Sequence, residues 1–167
     1  LSNGVTSSTG LFTVKSTTCY RFRLFRYGAL LSPVVTRTYI YKDKTYPFPI
    51  ISVVTDDRNL NSTEYGVFKE GPNGRSGRGS ENDCNWNMSW DRPVSFEYIT
   101  TDNECVISQE CDLSMCGGWS RSWSPHSFKL KASKTYDFQN FFAAQLFDKK
   151  PYIMSKTLQI RNGGNNV

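Results

Sequence analysis

Chemistry-bearing side chains are densest in the stretch Gly117-Gly-Trp-Ser-Arg-Ser-Trp-Ser-Pro-His-Ser-Phe-Lys-Leu130. Gly117 and Gly118 permit close backbone approach to a ligand. Arg121 offers a planar two-pronged fork and Lys129 a point charge, and both suit a phosphate. Each also has a plainer role open to it. Arg121 is expected to make a salt bridge to an acidic residue of the middle of the chain, and Lys129 equally fits a solvated strand face. Trp119 and Trp123 are four apart, as are Trp86 and Trp90, so in strands each pair would share one face. Core or loop-anchoring tryptophan is the role expected of all four. Sugar stacking by Trp119 and Trp123 is the alternative.

Other chemistries find no footing. No nucleophile–His–acid set stands out, because Ser127 beside His126 is a sequence neighbour only. Asp56-Asp57 sits at a helix cap and not in a recognisable metal loop. The five cysteines, at 19, 84, 105, 111 and 116, are odd in number, so at least one is free or pairs outside the chain. Their spacing matches no zinc site and only one histidine accompanies them, so neither a metal site nor a catalytic residue is assigned. The neighbours of Cys105 and Cys111 read as a turn between strands. These two are open to bridging, with small buried thiols as the expected state.

The elements that position these residues are mostly strands. The chain has 167 residues, 38% apolar and 21% charged, with four Trp, nine Tyr and eleven Phe. That is enough for a real core, and no apolar run reaches the roughly 20 residues of a membrane span. No signal peptide is visible, so a leader was removed or the chain is a piece of a longer one. Net charge is +5, with basic ends and an acidic stretch over residues 46–112. A basic face interleaved with aromatics is the mark of nucleic-acid binders; this blockwise pattern argues against nucleic acid as a partner.

Residues 12–26 alternate, with Phe12, Val14, Tyr20, Phe22 and Leu24 on one face, and 34–41 form a β-branched run. Tyr27-Gly28-Ala29 reads as a turn. Two strands bury no face stably alone. Residues 1–45 are therefore expected to pack on the remainder, to pair with another copy, or to belong to a longer parent chain. Pro47-Phe48-Pro49 marks the join. Beyond it, 50–55 is the best buried-strand candidate, and Asp56 or Asp57 caps a short helical turn ending at Leu60. Gly66-Val67-Phe68 resumes strand, 71–85 reads as a long exposed loop, and 93–99, 105–113, 128–132 and 157–160 read as strands. One helix of some length is expected at 135–147, from Phe138, Phe142 and Leu146 spaced by four and capped by Thr135. The fold class is mainly β, of α+β type.

Two resemblances follow. Tyr20-Arg-Phe-Arg-Leu-Phe-Arg-Tyr-Gly28 with Ser32-Pro-Val-Val-Thr-Arg-Thr-Tyr39 resembles the closing strands of the chitobiase C-terminal-like, Ig-like β-sandwich. Four further stretches fall in one order: Pro49-Ile-Ile-Ser-Val-Val-Thr-Asp56, Asn85-Trp-Asn-Met-Ser-Trp-Asp-Arg-Pro-Val94, the 117–130 segment, and Leu158-Gln-Ile-Arg-Asn-Gly-Gly164. Together they resemble the N-terminal part of the CotH family, the spore-coat kinase family. The resemblance implies residues 1–45 as the incomplete end of a sandwich and 46–167 as the β-rich first lobe of an atypical kinase fold. The second, helical lobe, with the catalytic and metal-binding carboxylates, lies beyond Val167.

The resemblance implies a secreted or cell-surface bacterial parent that is an ATP-dependent protein kinase using Mg, and a chain that alone holds no cofactor and is expected to have no kinase activity. Nucleotide contacts would come from Gly117, Gly118, Arg121, His126, Lys129, Arg161 and Asn162. His126 stands where the family has Lys, and a neutral imidazole supplies less charge to a triphosphate. For Arg161 a strand-end staple in a Gly-rich turn is the plainer expectation. The alternative function is a non-catalytic surface module for adhesion, polysaccharide binding or fibre assembly. Expected partners are the rest of the parent chain or other copies, a protein substrate, or a polysaccharide.

Overall fold

The computed structural model describes residues 13–41, 45–137 and 139–163. It divides into two compact units, residues 1–45 and 46–167.

The described residues of the first unit form an antiparallel hairpin. Strand β1 (Thr18–Phe22) pairs with β2 (Val35–Tyr39), Tyr20 opposite Arg37. The Tyr20 and Tyr39 rings meet edge-on at 5.8 Å. The turn at Tyr27–Ala29 forms as expected, with Gly28 at φ 73° and Ala29 N donating to Arg26 O. The alternation of 12–26 yields a shorter strand than expected. Arg23 Nε donates to Ser32 O and Leu24 N to Ser32 Oγ, both at 2.8 Å, which ties the chain into the turn; Leu24 is 81% exposed. Phe12 lies outside the described residues.

The second unit is built on a five-stranded antiparallel sheet in the order β3 (Ile50–Val54), β6 (Asp91–Ile99), β7 (Cys105–Met115), β8 (Phe128–Ala132) and β9 (Thr157–Ile160). Period-two alternation sorts its two faces. Val94, Phe96, Ile107, Leu113 and Leu130 lie on the core face, beneath Val67, Trp86 and Phe142. The opposite face carries Ser95, Glu97, Glu110, Asp112 and Lys129. The fold is mainly β, as the alternation predicts.

Several expectations need correction. Residues 50–54 do form a strand, but at the sheet edge, and Ile51 is 43% exposed. The helical turn α1 (Asp57–Asn61) is capped as expected, Asp56 Oδ1 accepting from Arg58 N at 3.0 Å. Residues 66–68 form a turn, not a strand; Val67 is fully buried, and its N–H donates to Asn59 O. The expected exposed loop is a hairpin of β4 (Glu70–Gly77) and β5 (Ser80–Cys84). Its glycines serve close packing: a Cβ on Gly74 would stand 2.3 Å from the Cys84 backbone.

Cys105 and Cys111 belong to one strand, so at about 3.3 Å rise per residue they cannot bridge. None of the five cysteines is in a disulfide. The 135–147 helix shrinks to α2 (Lys134–Asp137), with Thr135 inside it and Ser133 Oγ accepting from Thr135 N. Phe138 lies outside the described residues. Beyond it the chain runs irregular to extended: Phe142 exchanges both backbone hydrogen bonds with Ser155 and packs edge-on against Phe96 at 5.2 Å.

Candidate functional site

The β7–β8 connection, residues 116–127, is closed at its base by Cys116 N donating to Ser127 O at 3.2 Å. At its tip a 3-10 turn, Trp119–Ser122, forms because Gly117 takes φ 100° and turns the chain. Trp123 N donates to Ser120 O and Ser122 Oγ to Trp119 O, which stiffens it.

Arg121 points inward and is 9% exposed. Its Nε donates to Gly117 O at 3.1 Å and its Nη1 to Trp86 O at 2.9 Å. The expected salt bridge is absent among the described residues; the charge is held by carbonyls. Burial pulls its pKa below the usual guanidinium value, and repulsion from Arg78 adds to this. His126 Nδ1 lies 2.8 Å from Arg121 O. A carbonyl only accepts, so Nδ1 carries the proton. Its ring packs on Phe68 at 5.4 Å and Trp86 at 4.8 Å.

Asn162, just past β9, reaches the same loop. Its N–H donates to Ser127 Oγ at 3.1 Å and its Nδ2 to Ser120 O at 3.2 Å. Gly117, Gly118, Arg121, His126 and Asn162 are therefore one connected assembly. Lys129, on the sheet face away from the core, and Arg161 act on Cys116: burial pushes that thiol pKa up, and the charges of Arg121, Lys129 and Arg161 draw it down by less. Neither the Lys129 nor the Arg161 side chain has a hydrogen-bond or ion-pair partner among the described residues. The strand-end staple expected of Arg161 is therefore not made there. Gly164 lies outside the described residues.

The tryptophans do not lie in strands. Trp86 is buried in a 3-10 turn, Asn85–Asn87, with Nε1 donating to Ser80 Oγ at 3.0 Å. Trp90 stacks on Tyr65 at 6.5 Å, and the Arg92 guanidinium covers both rings. Both are anchors, as expected. Trp119 is 74% and Trp123 48% exposed, and neither serves the core.

Sequence reasoning missed the β4–β5 hairpin as part of this site. Asn87 Nδ2 donates to Arg75 O and Gly77 O, pinning the hairpin to the Asn85–Asn87 turn. The tip Gly77-Arg78-Gly79 lies against Trp119; a Cβ on Gly79 would stand 3.1 Å from its Cε3. Glycines at 71, 74, 77 and 79 were the available signal, since glycine so often marks close backbone approach. Among the described residues no His, Cys, Asp and Glu group could hold a metal ion. Comparison of the chain with protein-family models, curated proteins and solved structures finds no match in any of the three.

Proposed function

We propose that residues 46–167 are the β-rich first lobe of a CotH-like atypical protein kinase, carried by a secreted or cell-surface bacterial protein that presents residues 1–45 as the end of a chitobiase C-terminal-like sandwich. One observation supports this reading above all. The four stretches that carry the resemblance are hydrogen-bonded to one another in sequence order. Thr55 of the first donates to Pro93 O of the second at 2.6 Å. Arg121 of the third holds Trp86 O of the second, and Asn162 of the fourth holds Ser120 and Ser127 of the third. Side chains chosen to brace one another are what a shared scaffold requires.

In this reading the 116–127 loop is one wall of a nucleotide cleft. Arg121, His126 and Asn162 shape it, and Lys129 and Arg161 supply the uncommitted positive charge. The opposing lobe supplies carboxylates and Mg. The chain by itself then binds ATP–Mg no tighter than about millimolar, some −4 kcal/mol. Calorimetry on this chain and on the intact parent tests this. Tight binding confined to the parent supports the lobe assignment, and a parent that binds no nucleotide overturns it.

Trp119 and Trp123, exposed on a braced turn, favour a second reading: a non-catalytic surface module for adhesion, polysaccharide binding or fibre assembly. Retention on insoluble polysaccharide that is lost in Trp119→Ala supports it; no retention counts against it.

A further inference from the structure

We infer that the tip of the β4–β5 hairpin and the 119–123 turn form one binding face for an acidic polysaccharide, a glycan bearing uronate or sulfate; this rests on the surface-module reading and names its ligand class. Three observations carry it. The first is aromatic. Trp119 and Trp123 are 74% and 48% exposed, on a turn whose backbone is fixed by its own hydrogen bonds and by Asn162. Such indoles offer flat apolar area at little entropic cost. The second is steric. The tip beside Trp119 is Gly77-Arg78-Gly79, so no bulky side chain flanks Arg78 there, and Gly79 lets the hairpin lie close against Trp119 and Ser122.

The third is electrostatic. Arg78 is exposed, and neither an ion pair nor a hydrogen bond engages it among the described residues. Its charge also repels that of Arg121. Of the hairpin carboxylates, Glu70 and Asp83 are engaged elsewhere, with Asn82 Nδ2 and Ser76 N, and exposed Glu81 makes no ion pair with Arg78. An exposed guanidinium without an ion pair, set beside exposed indoles, favours an anion on a sugar ring. A neutral glycan would use the indoles and leave Arg78 idle, while an acidic peptide would use Arg78 and leave the indoles idle.

The test is affinity electrophoresis of the whole chain at low ionic strength. The probes are polygalacturonate, its methyl ester and heparin, with poly-L-glutamate as competitor. Retardation by polygalacturonate or heparin is expected, the preferred probe telling uronate from sulfate. Trp119→Ala, and Arg78→Asn, which keeps a residue tolerant of φ 51°, are each expected to weaken it about tenfold or more. Both positions are exposed, so an unchanged melting temperature shows that folding is intact. Equal retardation by the methyl ester overturns the acidic class and leaves the surface-module reading standing. Full competition by poly-L-glutamate overturns it in favour of an acidic protein. No retardation by any glycan overturns both.

Discussion

Replacing Arg121 by alanine separates its two readings, phosphate fork and loop brace. In the structure its guanidinium is 9% exposed and donates to Gly117 O and Trp86 O at 3.1 and 2.9 Å. A hydrogen bond from a charged donor contributes about 1.5–3 kcal/mol, and alanine removes two. Relief of the guanidinium's burial and of its repulsion with Arg78 offsets part of that loss. A net loss of about 2–3 kcal/mol results, or roughly a 6–15 °C lower melting temperature for a domain of this size. Lysine can reach one carbonyl but not both, so Arg121→Lys should fall between. The assay is thermal unfolding of the three proteins followed by tryptophan fluorescence. A shift under about 2 °C for Arg121→Ala would show that the side chain braces nothing, and would return it to the pool of ligand-facing groups.

Further outcomes follow from the same geometry. Phe142→Ala should cost about 3–5 kcal/mol in urea unfolding, because the ring is fully buried against Phe96. Thiol titration of the native chain should leave Cys84 and Cys111 unreactive while exposed Cys105 reacts, with all five reacting once the chain is unfolded; a Cys105–Cys111 disulfide in the mass spectrum would contradict the single-strand placement. Burial raises the pKa of the Cys84 thiol above 9.0, and burial with the Asp112 hydrogen bond raises that of Tyr136 above 10.0. Raised acids stabilise the fold fully below their unfolded pKa values and lose that contribution as pH climbs through the folded ones. Melting temperature should therefore fall progressively above about pH 9, less steeply in Tyr136→Phe; a rise over that range would contradict the assignment.

The sheet was legible because β6, β7, β8 and β9 each alternate apolar and polar residues over a half-covered surface. The Asp56 cap was legible for the same local reason, a carboxylate one residue before a short helix. The segment after Phe138 was not, because a spacing of four is common to a helix face and to a strand face. Burial there alternates by two, with Phe142, Ala144 and Leu146 toward the core and Phe141, Ala143, Gln145 and Phe147 outward, which only an extended chain achieves. The hairpin was hidden by composition. Residues 71–83 lack apolar alternation because side-chain amides and backbone contacts hold them, Asn73 Nδ2 on Glu64 O, Asn87 Nδ2 on Arg75 O and Gly77 O. Arg121 was misassigned because its partners are carbonyls, which every residue carries and no sequence displays.

The central proposal is that residues 46–167 are a lobe of an ATP-dependent kinase. Its most direct test is phosphoryl transfer by the intact parent protein, purified from its native source and incubated with γ-labelled ATP, Mg and a serine-bearing protein substrate. The account predicts label on substrate serine with the intact protein and none with the 167-residue chain alone. An intact protein that neither transfers label nor binds ATP would contradict it.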